Sequence, residues 1–272
     1  SIKTYKVVVT RKASSDATLK NLTVSSGTLS PTFNTNTISY TVTVPYSVSS
    51  ITVGATVNNS EASVTGTGNK TLSVGENKIN VVVTAGDKTT KTYTITVTRE
   101  KDTDNTLKSL KLTSCTLSPS FSSSTTSYTC TVENSVTSTT VTAGATSGVA
   151  TITGTGVTNL SVGTNTIKVN VTAQNGSVKT YTVVVTRKPN SDATLKSLGV
   201  TNKTITPTFD KDTLLYTLTV PYSVDNITIT GVATQGVSSV TGLGSKVLVV
   251  GENSFDIKVT AEDKTTTKTY NV

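Results

Sequence analysis

Cys115 and Cys130 are the only two cysteines in this 272-residue chain, which has no histidine. Without histidine, the usual general base, the usual zinc ligand and any Cys–His or Ser–His pair are missing. Neither thiol therefore has the partner that would make it a nucleophile. The chemistry left to the pair is oxidation. A disulfide would close a loop of about 15 residues and stabilise by about 3 kcal/mol on the loop-entropy account, which suits an exported protein. The alternative is two buried thiols.

Carboxylates are the other reactive groups. Glu100, Asp102, Asp104 and Asn105 lie close together and offer the hard oxygens that suit calcium. Paired carboxylates can also hydrolyse glycosides. Tyr46 and Tyr222 each follow a proline, in Val44-Pro45-Tyr46-Ser47-Val48 and Val220-Pro221-Tyr222-Ser223-Val224. Their rings could stack on a sugar or pack over the rim of a core.

What must position these groups is a unit that occurs three times. Thr18-Leu19-Lys20-Asn21-Leu22 returns as Thr106-Leu107-Lys108-Ser109-Leu110 and as Thr194-Leu195-Lys196-Ser197-Leu198. Pro31, Pro119 and Pro207 recur at a spacing of 88 (119 − 31 and 207 − 119), and so do Tyr40, Tyr128 and Tyr216. A repeat of that length is a run of whole domains, each able to close a small core, rather than a solenoid of small units. Against this frame the acidic residues weaken as a site. Glu61, Glu76, Asp87 and Glu100 are not kept from copy to copy, and the second junction offers only Asn190 and Asp192 beside Lys188 and Pro189. Asp16, Asp104 and Asp192 do recur, at the place where an aspartate caps a turn. The expectation is no active site and no cofactor, with calcium at the first junction as the one alternative.

Each copy reads as seven strands. In the first they span roughly 18–25, 38–44, 50–57, 61–65, 69–74, 78–84 and 91–98. Tyr40, Val42 and Val44 alternate with Thr41 and Thr43, and Tyr93, Ile95 and Val97 with Thr94 and Thr96. Period two gives one buried and one wet face, and two sheets packed through their apolar faces satisfy all seven strands. Gly66 and Gly68, repeated at 154 and 156 and at 242 and 244, could suggest a phosphate cradle, but a strand follows where a cradle needs a helix. The junctions are short, so the modules should form a semi-rigid rod.

The first residues are themselves a copied strand. Tyr5-Lys6-Val7-Val8-Val9-Thr10-Arg11 matches Tyr93-Thr94-Ile95-Thr96-Val97-Thr98-Arg99 and residues 181–187, each the last strand of its copy. Tyr270-Asn271-Val272 begins the corresponding strand of the third copy and stops short. The expected division is residues 1–12 as the last strand of a preceding repeat, 13–100 and 101–188 as complete repeats, and 189–272 as a repeat with a truncated last strand. Head-to-tail contact between copies through these terminal strands is one consequence. The net charge of +8 is scattered along the strands, so nucleic acid is not an expected partner. No apolar run reaches membrane-spanning length.

The order of these elements resembles the bacterial cadherin-like β-sandwich domain. The match runs through residues 15–24, Leu29-Ser30-Pro31-Thr32-Phe33, Tyr40-Thr41-Val42-Thr43-Val44-Pro45 and Lys91-Thr92-Tyr93-Thr94-Ile95-Thr96-Val97, and it holds in all three copies. The resemblance implies an all-β chain of tandem immunoglobulin/cadherin-like seven-stranded sandwiches from an extracellular protein, secreted or attached to the cell wall. The nearest stretch to a cadherin calcium motif is Asp102-Thr103-Asp104-Asn105, at one junction only. The expected function is a structural spacer or adhesion segment with no enzymatic activity. Its partner would be wall or extracellular polysaccharide, or another surface protein. The alternative is an array of carbohydrate-binding modules using Tyr46 and Tyr222.

Overall fold

Alternating Val, Ile and Tyr against Thr and Ser can be buried on one side only, and the chain answers with strands throughout. The computed structural model describes residues 1–272 and contains twenty strands and no α-helix. The first repeat runs β1 (Leu19–Val24), β2 (Ser39–Val44), β3 (Ser50–Val57), β4 (Ser63–Thr65), β5 (Gly68–Thr71), β6 (Gly75–Thr84) and β7 (Thr90–Arg99). One sheet has the order β1-β3-β5, the other β2-β7-β6-β4. The buried positions of β2 and β7 are the expected ones, Tyr40, Val42 and Val44 facing in with Tyr93, Ile95 and Val97. All six join the core with Leu19, Ile51 and Val81.

The chain crosses from the first sheet to the second through Pro31, where Ser30 and Thr41 form an isolated bridge. β2 then runs parallel to β7, from Ser39 opposite Thr94 to Val44 opposite Arg99. β7 also pairs antiparallel with β6 along its whole length, Gly75 opposite Arg99 through Thr84 opposite Thr90. The last strand is thus the central seam of its sheet. The glycine turn is structural: Gly66 has φ of +87°, and a Cβ there would lie 2.0 Å from the Asn80 carbonyl oxygen.

The second repeat repeats this plan with β8 (Leu107–Leu112), β9 (Ser127–Val132), β10 (Ser138–Ala145), β11 (Thr151–Thr153), β12 (Gly156–Asn159), β13 (Gly163–Thr172) and β14 (Val178–Arg187). Its sheets are β12-β10-β8 and β11-β13-β14-β9. By contacts the chain divides into two compact units, residues 1–105 with 147–151 and 172–178, and the remainder.

The third repeat departs from the expected seven strands. It has six: β15 (Leu195–Val200), β16 (Asn226–Ala233), β17 (Ser239–Thr241), β18 (Gly244–Val247), β19 (Asp256–Thr260) and β20 (Thr267–Asn271). Its second strand is reduced to two isolated bridges, Leu215 with Asn271 and Thr217 with Thr206. Asn271 takes the position of Thr94 and Val272 that of Ile95. Neither 218–220 nor 251–254 is a strand. Residues 1–12 also lie outside every strand and are exposed throughout.

Candidate functional site

A tyrosine hydroxyl ties the first and last strands of each repeat to the loop between the sheets. The Leu19 N–H donates to the Tyr93 hydroxyl at 3.1 Å, and that hydroxyl donates to the Thr35 carbonyl at 2.8 Å. The same bridge joins Leu107, Tyr181 and Ser123, and again Leu195, Tyr270 and Lys211. A second tyrosine, Tyr40, puts its hydroxyl 2.8 Å from both the Asn34 and Thr37 carbonyls and lies beside the Phe33 ring. Both rings are fully buried, so each hydroxyl needs these partners.

At the opposite end of the first two repeats an arginine closes the sandwich. Arg99, the last residue of β7, donates through Nε and Nη2 to the Tyr46 carbonyl at 2.9 and 2.6 Å, and through Nη1 to the Leu72 carbonyl at 3.0 Å. Its guanidinium also sits 4.7 Å from the Tyr46 ring centroid, a cation–π contact. Arg187 makes the same three bonds to Asn134 and Leu160. Sequence reasoning saw these arginines only as part of a strand motif. Their fixed place after Val-Thr at residues 99 and 187 was the signal.

The two candidate sugar-stacking tyrosines therefore differ. Tyr46 is half-buried beneath Arg99, while Tyr222 is 91% exposed. Tyr222 lines a cavity of about 880 Å³ in the third repeat with Leu218, Val220, Leu248 and Phe255. These four are half-exposed, whereas their counterparts Val42, Val44, Leu72 and Ile79 are buried.

Cys115 and Cys130 are joined in a disulfide with a Cα–Cα distance of 6.0 Å. Cys130 lies on the buried face of β9 with Tyr128 and Val132, and Cys115 follows β8, so the bond ties one sheet to the other. The first repeat shows why these positions suit it: a Cβ added at Gly27 would stand 2.5 Å from Val42, the counterpart of Cys130.

The junction residues make bonds within their own fold. Asp102 turns its carboxylate to its own fold, Oδ1 accepting from the Asp104 N–H at 2.9 Å and Oδ2 from the Ser147 hydroxyl at 2.6 Å. The Ser147 bond, followed by the Asp104 bond, holds its pKa below the usual carboxylate range. The Asn105 side chain donates to Ser177 at 3.3 Å, and Glu100 is exposed. No group of three or more His, Cys, Asp or Glu side chains gathers as a metal site. The turn-capping role expected of the recurring aspartates is visible at Asp16 and Asp192. Each accepts through Oδ1 from the N–H and hydroxyl of the threonine two residues on.

Each of the three repeats is an all-β sandwich carrying the same tyrosine bridge. Residues 19–100, 107–188 and 195–272 each match the family described as the cadherin-like beta sandwich domain, and the chain belongs to that family. Among solved structures it is similar to Protocadherin Gamma B7 extracellular cadherin domains 1-4, at 11% identity over 87% of this chain and 75% of that one, with a TM-score of 0.26. It is also similar to human CDH23 EC21-23, at 12% identity over 91% and 99%, TM-score 0.28. A third is the human Desmocollin-1 ectodomain, at 11% identity over 94% and 58%, TM-score 0.22. No curated protein matches the chain.

Proposed function

We propose that this chain is a non-enzymatic extracellular segment of a bacterial surface protein, secreted or wall-attached, which spaces or presents other parts of that protein or adheres to a protein partner. The observation that carries this reading is the repetition of one locked sandwich. The tyrosine bridge recurs in all three copies and the arginine clasp in two, while the residues around them vary. What is preserved from copy to copy is the means of holding the module shut, which is what a load-bearing spacer requires. No helix long and apolar enough to cross a membrane is present.

Carbohydrate binding is the second reading, and it rests on Tyr222, whose ring is exposed beside a cavity lined by both polar and apolar side chains. A binding panel of wall preparations, polysaccharides and surface proteins, run with and without calcium, separates the two. The spacer or adhesion reading expects no saturable polysaccharide binding. Saturable polysaccharide binding that Tyr222→Ala abolishes would replace it with carbohydrate recognition.

A further inference from the structure

The two sheets of the first repeat leave a groove on the side where β5 faces β6. β7 covers one edge of β6 from Gly75 to Thr84, but β4 covers the other edge only from Val82 to Thr84. Gly66 passes close to the Asn80 carbonyl, so the stretch from Asn77 to Ile79 is an edge without a strand partner. β5 is the outermost strand of its own sheet and pairs with β3 alone. The groove between them has a volume of about 420 Å³, with Asn69, Lys70 and Thr71 on one side and Asn77, Lys78 and Ile79 on the other. Its charge is of one sign. Lys70 stands opposite Ile51, which is fully buried, so the lysine is on the inner face of β5, where it is half-buried. Lys78 is exposed on the outer face of β6. No acidic residue lines the groove, and the three ion pairs of the chain involve neither lysine.

The pair of lysines belongs to the first repeat only. Thr158 and Thr166 stand at these positions in the second, and Lys246 and Ser254 in the third, where Lys246 lies 5.9 Å from the Phe255 ring centroid instead. An open strand edge calls for backbone hydrogen bonds, and two unpaired ammonium groups call for carboxylates. We propose that the groove holds an extended acidic segment of a protein partner, added as a strand to the open edge of β6. Side chains alternate along such a strand. One carboxylate then meets Lys78 on the outer face and its neighbour meets Lys70 on the inner one. Main-chain pairing supplies affinity and the lysines supply specificity, as in other strand additions. The same lysines disfavour a second copy of this basic chain at that edge, since like charges would be brought together. The proposal names the partner chemistry of the adhesion reading and rests on that reading.

The test is titration of the full chain with a capped hexaglutamate peptide, and separately with an oligogalacturonate and with inorganic phosphate. Two variants accompany it: Lys70→Gln combined with Lys78→Gln, and Lys246→Gln as a control in the third repeat. Lys70 and Lys78 form no ion pair, so the double variant leaves the fold intact. The expected result is saturable peptide binding that the double variant weakens about tenfold and that Lys246→Gln leaves unchanged. Amide exchange should slow on binding at residues 77–80 of β6 and not at residues 165–168 of β13. No saturable peptide binding, binding indifferent to the double variant, or binding without slower exchange at residues 77–80 each overturns the proposal. Oligogalacturonate or phosphate that binds as tightly as the peptide overturns it too, because charge alone would then explain the site. The double variant is also run against the surface-protein panel. A surface protein that binds the wild type and the double variant alike overturns this site and leaves the adhesion reading standing, whereas one that the double variant loses supports both.

Discussion

Replacing Tyr93 with phenylalanine removes one oxygen atom from the first repeat and leaves its ring in place. That oxygen is the acceptor for the buried Leu19 N–H at 3.1 Å and the donor to the Thr35 carbonyl at 2.8 Å. The two partners fare differently. The Thr35 carbonyl still has the Lys91 ammonium at 3.2 Å. The Leu19 N–H has no such replacement, because Leu19 is fully buried and water cannot reach it. An unsatisfied buried donor costs about 1–3 kcal/mol, so Tyr93→Phe should destabilise the first repeat by about 2 kcal/mol, roughly a thirtyfold change in its unfolding equilibrium. For a domain of this size that lowers the midpoint by about 8–16 °C. Three domains do not unfold as one two-state unit, so the assay is amide exchange followed residue by residue. Leu19 and its β3 neighbours should exchange about thirtyfold faster, while the third repeat stays unchanged. Unaltered exchange at Leu19 would refute the claim that the hydroxyl is its partner. A loss spread evenly over all three repeats would refute the claim that each copy is locked separately.

Reduction of the Cys115–Cys130 bond should destabilise the second repeat by about 3 kcal/mol and leave the first untouched, as read by exchange with and without reductant. Thr139→Ile should stabilise the second repeat by about 1 kcal/mol in chemical denaturation. The Thr139 hydroxyl is buried without a partner, and Ile51 and Ile227 fill the equivalent core position. Acid should weaken all three repeats. The Thr18 hydroxyl, then Asn58, lowers the Asp16 pKa, Ser147 lowers that of Asp102, and the Thr194 hydroxyl lowers that of Asp192 against a smaller opposing effect of burial. Each folded pKa lies below its unfolded value of about 3.9. Their stabilisation is therefore complete above that value and is lost as pH falls through the lowered folded pKa. Asp16→Asn should flatten the acid limb of the first repeat in a pH series of denaturation curves, and an unchanged limb would remove Asp16 from this account.

The sheets were readable because their causes are local. Alternation over five or six residues decides which side of β2, β7 or β14 is buried, and the structure buries the positions that alternation names. The observed β6 and β7 run longer than the 78–84 and 91–98 expected, reaching Gly75 and Arg99. Their ends are polar and owe their strand geometry to pairing with each other, which no hydrophobic pattern marks. Residues 215–220 keep the strand pattern of Leu215, Tyr216, Thr217 and Leu218 but form only isolated bridges, Leu215 with Asn271 and Thr217 with Thr206, because a strand needs continuous pairing of its backbone groups as well as a side-chain pattern.

The amino-acid order alone was enough for the threefold repeat, the two-faced strands and the aspartate caps, and it made Cys115 and Cys130 candidates for a pairing that the fold then shows. Each depends on composition, on period, or on a chain reversal short enough to follow residue by residue. Folding alone settled the rest. Arg99 meets the Tyr46 carbonyl across 53 residues of chain, and the Tyr93 hydroxyl meets Leu19 across 74. The Asp102 carboxylate meets the Ser147 hydroxyl, 45 residues away. Tyr46 and Tyr222 sit in the same five-residue motif, yet Tyr46 is covered by an arginine that arrives from the far end of its repeat while Tyr222 is exposed. Contacts of that span are made by the close approach of two packed sheets, and no local window of sequence contains both of their members.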